Sequence, residues 1–130
     1  MVCLETTFLV DLIRGNKEVE SLFNYLIDGD SVITIATPSL MELISGASNN
    51  QKRDEKKEII EILSSVTTLP LTKESAILAG EIESELMMAG ESIGSVDVMI
   101  AAIAKYNNET LITRNKKHFE KIPGLKIESY

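Results

Sequence analysis

The chain has 130 residues, 44% of them apolar, and a net charge of −7 from 13 Lys plus Arg against 20 Asp plus Glu. That length suits one compact domain over residues 1–130 with a core of its own, and the acidic balance argues against a surface that holds polyphosphate everywhere. No stretch nears the roughly 18 consecutive apolar residues of a membrane span. The opening MVCLETTFLVDLIRG carries an acid inside the apolar run where a signal peptide carries none. The expectation is therefore a soluble, cytoplasmic protein with no membrane segment. Its one cysteine, Cys3, forms no intrachain disulfide and no Cys-based zinc site, and reads as a small core residue.

MVCLE reads as a short buried strand, and TFLVDLIRG as a helix with Phe8, Leu9, Leu12 and Ile13 on one face and Gly15 as its stop. Glu5 then falls at a strand-to-helix turn. Val19, Leu22, Phe23, Leu26 and Ile27 repeat at helical spacing, with Gly29 ending the run. The β-branched SVITI is the next strand. Thr37 followed by Pro38 looks like an N-cap with proline at the first helical position, opening a helix whose buried stripe is Leu40, Leu43, Ile44 and Ala47. Glu42 lies about one turn inside that helix.

QKRDEKKEIIE balances four basic against four acidic residues and reads as a solvated helix face, with Ile59, Ile62, Leu63 and Val66 in register beneath it. SVTTLP makes a brief third strand closed by Pro70. Leu78, Ile82, Leu86 and Ala89 define an amphipathic helix stopped by Gly90, and VDVMIAAIAKY is so apolar that it predicts a central helix covered on most sides, with Ser95 as N-cap and Asp97 in its first turn. TLIT is a strand, NKKHFEK a short helix and LKIES a last strand. Met87, Met88 and Met99 read as core or interface filler. Strands alternating with helices imply a parallel sheet covered on both faces.

In such a sheet ligands collect beyond the carboxyl ends of the strands. Glu5, Glu42, Asp97 and the segment Thr113 to Asn115 all fall at strand exits or in the helix turns that follow them. A carboxylate in a helix as apolar as VDVMIAAIA costs several kcal/mol if left unpaired. The helix-start dipole accounts for Asp97 taken alone. Several acids converging on one crevice instead call for a cation, and Mg²⁺ or Mn²⁺ prefer carboxylate and water oxygens. The chemistry this supports is metal-assisted phosphodiester hydrolysis. With His118 the only histidine and Cys3 buried, a Ser/His/Asp or Cys/His mechanism has little to stand on, and no Walker A loop, GxGxxG or zinc spacing is present.

Three segments in order, VCLETTFLVDLIRG, ATPSLMELISG and GSVDVMIAAIAKYNNETLITRNKKHFEKIPGL, resemble the successive signatures of PIN-domain proteins of the VapC toxin type, and the resemblance covers nearly the whole chain. It implies a three-layer α/β/α sandwich with a mainly parallel five-stranded sheet. It also implies Mg²⁺- or Mn²⁺-dependent endoribonuclease activity on RNA, a homodimer, and a small antitoxin partner of the VapB type. Carried over by position, Glu5 stands for the family's first Asp, Glu42 for its helix glutamate, Asp97 for its third acid and Asn115 for its fourth acidic position. On this reading Glu5, Glu42 and Asp97 are the metal ligands. Thr6 and Thr113 match hydroxyl residues beside the site, and Arg114 and Lys116 join them as substrate contacts.

Two positions depart from the pattern. Glu5 adds a methylene that should displace its carboxylate from a site shaped for Asp, and Asn115 keeps an acceptor oxygen while losing a charge, a change that also suits an N-cap. Weak metal binding, strengthened by Glu5→Asp, is the expectation. The segment TRNKKHFEKIPGLK sets Arg114, Lys116, Lys117, Lys121 and Lys126 against Glu120 alone, so it is the local patch for nucleic-acid contact or a set of solubilising charges, with His118 a partly exposed surface residue. Two other classes stand beside the nuclease. One is a catalytically silent interaction domain that keeps the antitoxin groove. The other is a phosphoacceptor receiver domain, which fits poorly because SVTTLP ends in no Asp.

Overall fold

The computed structural model describes residues 1–48 and 54–130. The described elements run β1 (Val2–Leu4), α1 (Thr6–Ile13), α2 (Lys17–Asp28), β2 (Ile33–Ala36), α3 (Thr37–Ser48), α4 (Glu55–Leu63), β3 (Thr67–Leu69), α5 (Lys73–Met88), α6 (Ser95–Tyr106), β4 (Thr110–Thr113), α7 (Lys116–Phe119) and β5 (Lys126–Ser129). Residues 51–53 of the charge-rich QKRDEKKEIIE lie outside the described residues. The strands form one sheet in the order β3-β2-β1-β4-β5, and all four pairings are parallel.

Two apolar clusters lie on opposite faces of this sheet. On one, α1, α2, α3 and α4 bring Phe8, Leu9, Val19, Leu43 and Ile59 over Leu4, Ile35 and Ile112. On the other, α5, α6 and α7 bring Ile82, Leu86, Ile100, Ile103 and Phe119 over Cys3, Ala36 and Leu111. The α/β/α sandwich follows from the period-2 alternation of the strands, since Cys3 and Leu4 face opposite layers and are both fully buried. Burying side chains such as Phe8 and Phe119 contributes about 1.5–3 kcal/mol each. The central helix is α6, where Val98, Ile100, Ala101, Ala102, Ile103 and Ala104 are all buried. Met99 packs against this cluster, whereas Met87 and Met88 are exposed and belong to no core.

Chain order fixes where a site forms. From β1 the chain moves to β2 and then β3 on one side, while β4 and β5 lie on the other, so the direction of winding reverses between β1 and β4. Beyond the carboxyl ends of those two strands the connecting segments diverge and leave a crevice. Glu5 follows β1 and Thr113 ends β4, which puts both at that point.

Local starts and stops differ from expectation in two places. Helix α3 follows β2 directly at Thr37, so this residue is helical and is not a separate cap. Helix α6 is preceded by Gly94 at φ 100° and ψ 143°, and the Ser95 hydroxyl donates to Glu83 Oε1 at 2.8 Å and makes no cap bond. Glycine alone adopts that backbone region at low cost. A Cβ on Gly94 would meet nothing within 4 Å, so any cost of replacing it is conformational. Gly94→Ala should therefore lower the unfolding free energy by about 1–3 kcal/mol, whereas Gly46→Ala, in helix α3 with open space around it, should stabilise by up to about 1 kcal/mol. Urea denaturation of the two variants beside the wild type checks both signs.

Candidate active site

Glu5 caps α1. Its backbone is extended (φ −77°, ψ 159°), and its side chain turns back so that Oε2 accepts from the Thr7 amide at 3.1 Å. The same oxygen accepts from the Thr7 hydroxyl and, at 2.8 Å, from the Thr113 hydroxyl. One carboxylate oxygen thus ties the start of α1 to the end of β4, and Glu5 is only 3% exposed.

Glu42 joins from α3, where its Oε1 accepts from the Thr6 hydroxyl at 2.8 Å. Asp97 stands in the first turn of α6, with Oδ2 3.1 Å from Nδ1 of His118. That ring nitrogen is also 2.9 Å from the Asn115 amide. Asn115 precedes α7 but makes no side-chain cap bond, contrary to the cap suggested by its position, because its amide reaches His118. Burial raises the Asp97 pKa from 3.8 to about 6, opposed by His118 and assisted by the charges of Glu5 and Glu42. The charges of Glu5 and Glu42 thus both reach Asp97.

A hard divalent cation fits this donor chemistry, which offers carboxylate and amide oxygens and a charge excess that such an ion offsets. It does not fit as an all-protein cage. Among the described residues, no three or more of His, Cys, Asp and Glu stand close enough to hold an ion. Mg²⁺ commonly takes one or two carboxylates and keeps its waters for the rest.

The expected substrate contacts divide. Thr113 is fully buried, donating to Glu5 and accepting from the Asn115 amide nitrogen at 2.9 Å, so it orders the loop and is covered from solvent. Thr6 serves Glu42. Arg114 is committed elsewhere: Nη1 donates to both oxygens of buried Asp11, at 2.7 and 2.9 Å. Lys116 is exposed.

Two neighbours of the site, Asp11 and Tyr130, were missed from sequence, and the contacts of a third, His118, were not foreseen. Asp11 sits in the apolar run LVDLI and is 7% exposed, so it needs a partner for the same reason as Asp97 and could have been found by the same signal. Tyr130 donates to Asp11 Oδ2 at 2.8 Å and meets the Phe8 ring edge-on at 5.2 Å between centroids. Burial, assisted by the Asp11 carboxylate, pushes the Tyr130 phenol pKa up and keeps it a donor. Nothing local in the sequence signals that contact, which spans 119 positions. His118, three residues after Asn115, was legible only as an i, i+3 neighbour on a helix.

The family model described as PIN domain matches residues 2–125. Among curated relatives, ribonuclease VapC2 of Rickettsia felis is 32% identical, with 88% of each chain covered. The tRNA(fMet)-specific endonuclease VapC of Salmonella typhimurium is 31% identical over 98% of this chain and 96% of its own. Among solved structures, VapBC2 of Rickettsia felis bound to a DNA fragment from its promoter superposes with a TM-score of 0.89 at 29% identity, covering 100% of this chain and 99% of the other. DNA-bound VapBC of Salmonella typhimurium gives 0.86 at 29% identity, covering 99% and 98%.

Asp97 gives a pH test. It holds its proton more tightly in the folded state than unfolded, so ionising it penalises the fold fully above about pH 6, and the penalty fades towards pH 3.8. Asp97→Asn should accordingly melt higher than the wild type at pH 7, with the gap closing as pH falls from 6 to 4. Thermal melts at three pH values check it. With fold and sequence in agreement, the chain belongs to the PIN-domain family, and within it to the VapC type.

Proposed function

We propose that the chain acts, as one cytoplasmic domain over residues 1–130, as a divalent-cation-dependent endoribonuclease, the toxin of a VapBC-type pair. The observation that carries this reading is the Asp97 carboxylate at the strand-order reversal where a phosphodiester would lie, its charge disfavoured first by burial and then by Glu5 and Glu42. Glu5, Glu42 and Asp97 would hold Mg²⁺ or Mn²⁺, directly or through its waters, with the Asn115 amide oxygen a neutral fourth donor. Such an ion, when bound, polarises a phosphoryl oxygen and acidifies a bound water. Thr7 and Thr113 fix the direction of the Glu5 carboxylate, and Thr6 fixes that of Glu42. His118 keeps Asp97 and Asn115 side by side.

RNA is the substrate class, supported by relatives named as ribonucleases. An antitoxin of the VapB type is the partner, supported by the likeness to VapBC complexes and by a cleft of about 350 Å³ lined by Val10, Ile13, Arg14, Leu43 and Ile59 that reaches Glu42. A homodimer is supported by the exposed Ile77 and Met88 on α5. The second reading is a PIN-fold domain that binds its antitoxin but cleaves weakly or not at all. It is favoured by one observation, the engagement of Glu5 Oε2 by three donors.

Initiator tRNA is the first substrate to assay, because the Salmonella typhimurium relative is named for it. Purified protein with Mn²⁺ should cut it, and Asp97→Asn should lower the rate by about a hundredfold or more, since even supporting residues of metal sites matter ten- to a hundredfold. Absence of cleavage with Mn²⁺ across a panel of RNAs, together with tight binding to the antitoxin, supports the second reading.

A further inference from the structure

The basic residues near the acids are not equivalent. Arg114 is bound to Asp11, and Lys126 donates to Asn108 Oδ1 at the other end of β4. Lys117 and Lys121 instead line, with Asn115 and His118, a shallow cleft of about 410 Å³ that contains no carboxylate. In a chain of net charge −7 such a cleft stands out. Among the described residues neither lysine pairs with an acid.

Two further features make the cleft suitable for a ligand. The segment that carries it is anchored, because Phe119 and Ile122, between and beside the lysines, are buried at 0% and 2% exposure in the core. The cleft also adjoins the acid site, because Nδ1 of the His118 ring that lines it lies within 3.1 Å of both Asp97 and Asn115. A strand crossing the acids would continue into this cleft. Lysine supplies a compact point charge on a flexible stem, which suits the variable backbone of single-stranded RNA better than a fixed bidentate fork.

We propose that Lys117 and Lys121, flanking His118, form a docking site for RNA phosphates next to the acid site. The proposal rests on RNA being the substrate class, and it is independent of whether cleavage occurs. It replaces Arg114 as the source of positive charge for substrate.

The test is anisotropy of a labelled single-stranded RNA on the wild-type protein in EDTA, where cleavage does not interfere, read across a salt series. Lys117→Ala/Lys121→Ala should weaken binding on the order of tenfold at low salt, and should reduce the slope of log K against log salt by about 1.4, the value for two single-strand phosphate contacts. Lys56→Ala/Lys57→Ala, which removes the same charge from the exposed face of α4, should leave both quantities unchanged. Melting temperatures of all three proteins establish that the fold is intact. An unchanged slope in the Lys117/Lys121 variant overturns the proposal, as does an equal loss in the α4 variant or the absence of RNA binding by the wild type. If binding follows the expected pattern while Mn²⁺ gives no cleavage, the docking site stands and the nuclease reading fails.

Discussion

One oxygen of Glu5 accepts hydrogen bonds from Thr7 twice and from Thr113 once, and this junction sets the edge of the sheet at which the site forms. It joins the start of α1 to the end of β4 across 108 positions of sequence. The Arg114 amide donates in turn to the Thr7 hydroxyl at 3.1 Å, and the Arg114 guanidinium reaches Asp11, which also receives Tyr130. The loop carrying Asn115 and His118 is therefore held from both sides. Buried groups in such a chain keep their strength only while all partners are present, since an orphaned member costs more than the bond contributed.

The same junction creates an electrostatic problem. A parallel sheet directs the turns after β1 and β4 to one edge, and α3 and α6 add Glu42 and Asp97 to it. In water the repulsion among three such charges would be screened, but Asp97 is half-buried and its proton affinity rises accordingly. The His118 ring offsets part of this by facing Asp97. The remaining charge excess is what a bound cation would balance. How well an ion is held depends separately on the hydrogen-bonded state of Glu5. A carboxylate oxygen that already accepts three bonds is a poorer ligand than a free one, so Glu5 has its other oxygen to offer.

The architecture was legible because it depends on periodicity. The fully parallel sheet, the buried α6 and the positions of Glu5, Glu42 and Asp97 at one edge follow from strand-helix alternation and from where the turns fall. Pairings were not legible. Arg114 looked like a substrate contact because its charge is visible in sequence while its partner Asp11, 103 positions away, is not. Thr113, read as a substrate contact, is fully buried. Ser95 looked like a cap because serine favours that role, yet the left-handed Gly94 makes the turn and frees the hydroxyl for Glu83. In each case local propensity was overridden by a long-range contact or by the one residue able to adopt the backbone required.

The most direct test of a shared acid field is a carboxyl carbon NMR titration of Asp97 in the wild type, Glu5→Gln and Glu42→Gln proteins without divalent ions. The account predicts an Asp97 pKa of about 6 in the wild type, moving down when either glutamate loses its charge. A value at the ordinary 3.8, or one indifferent to both substitutions, would show that the acids do not act together and would contradict it.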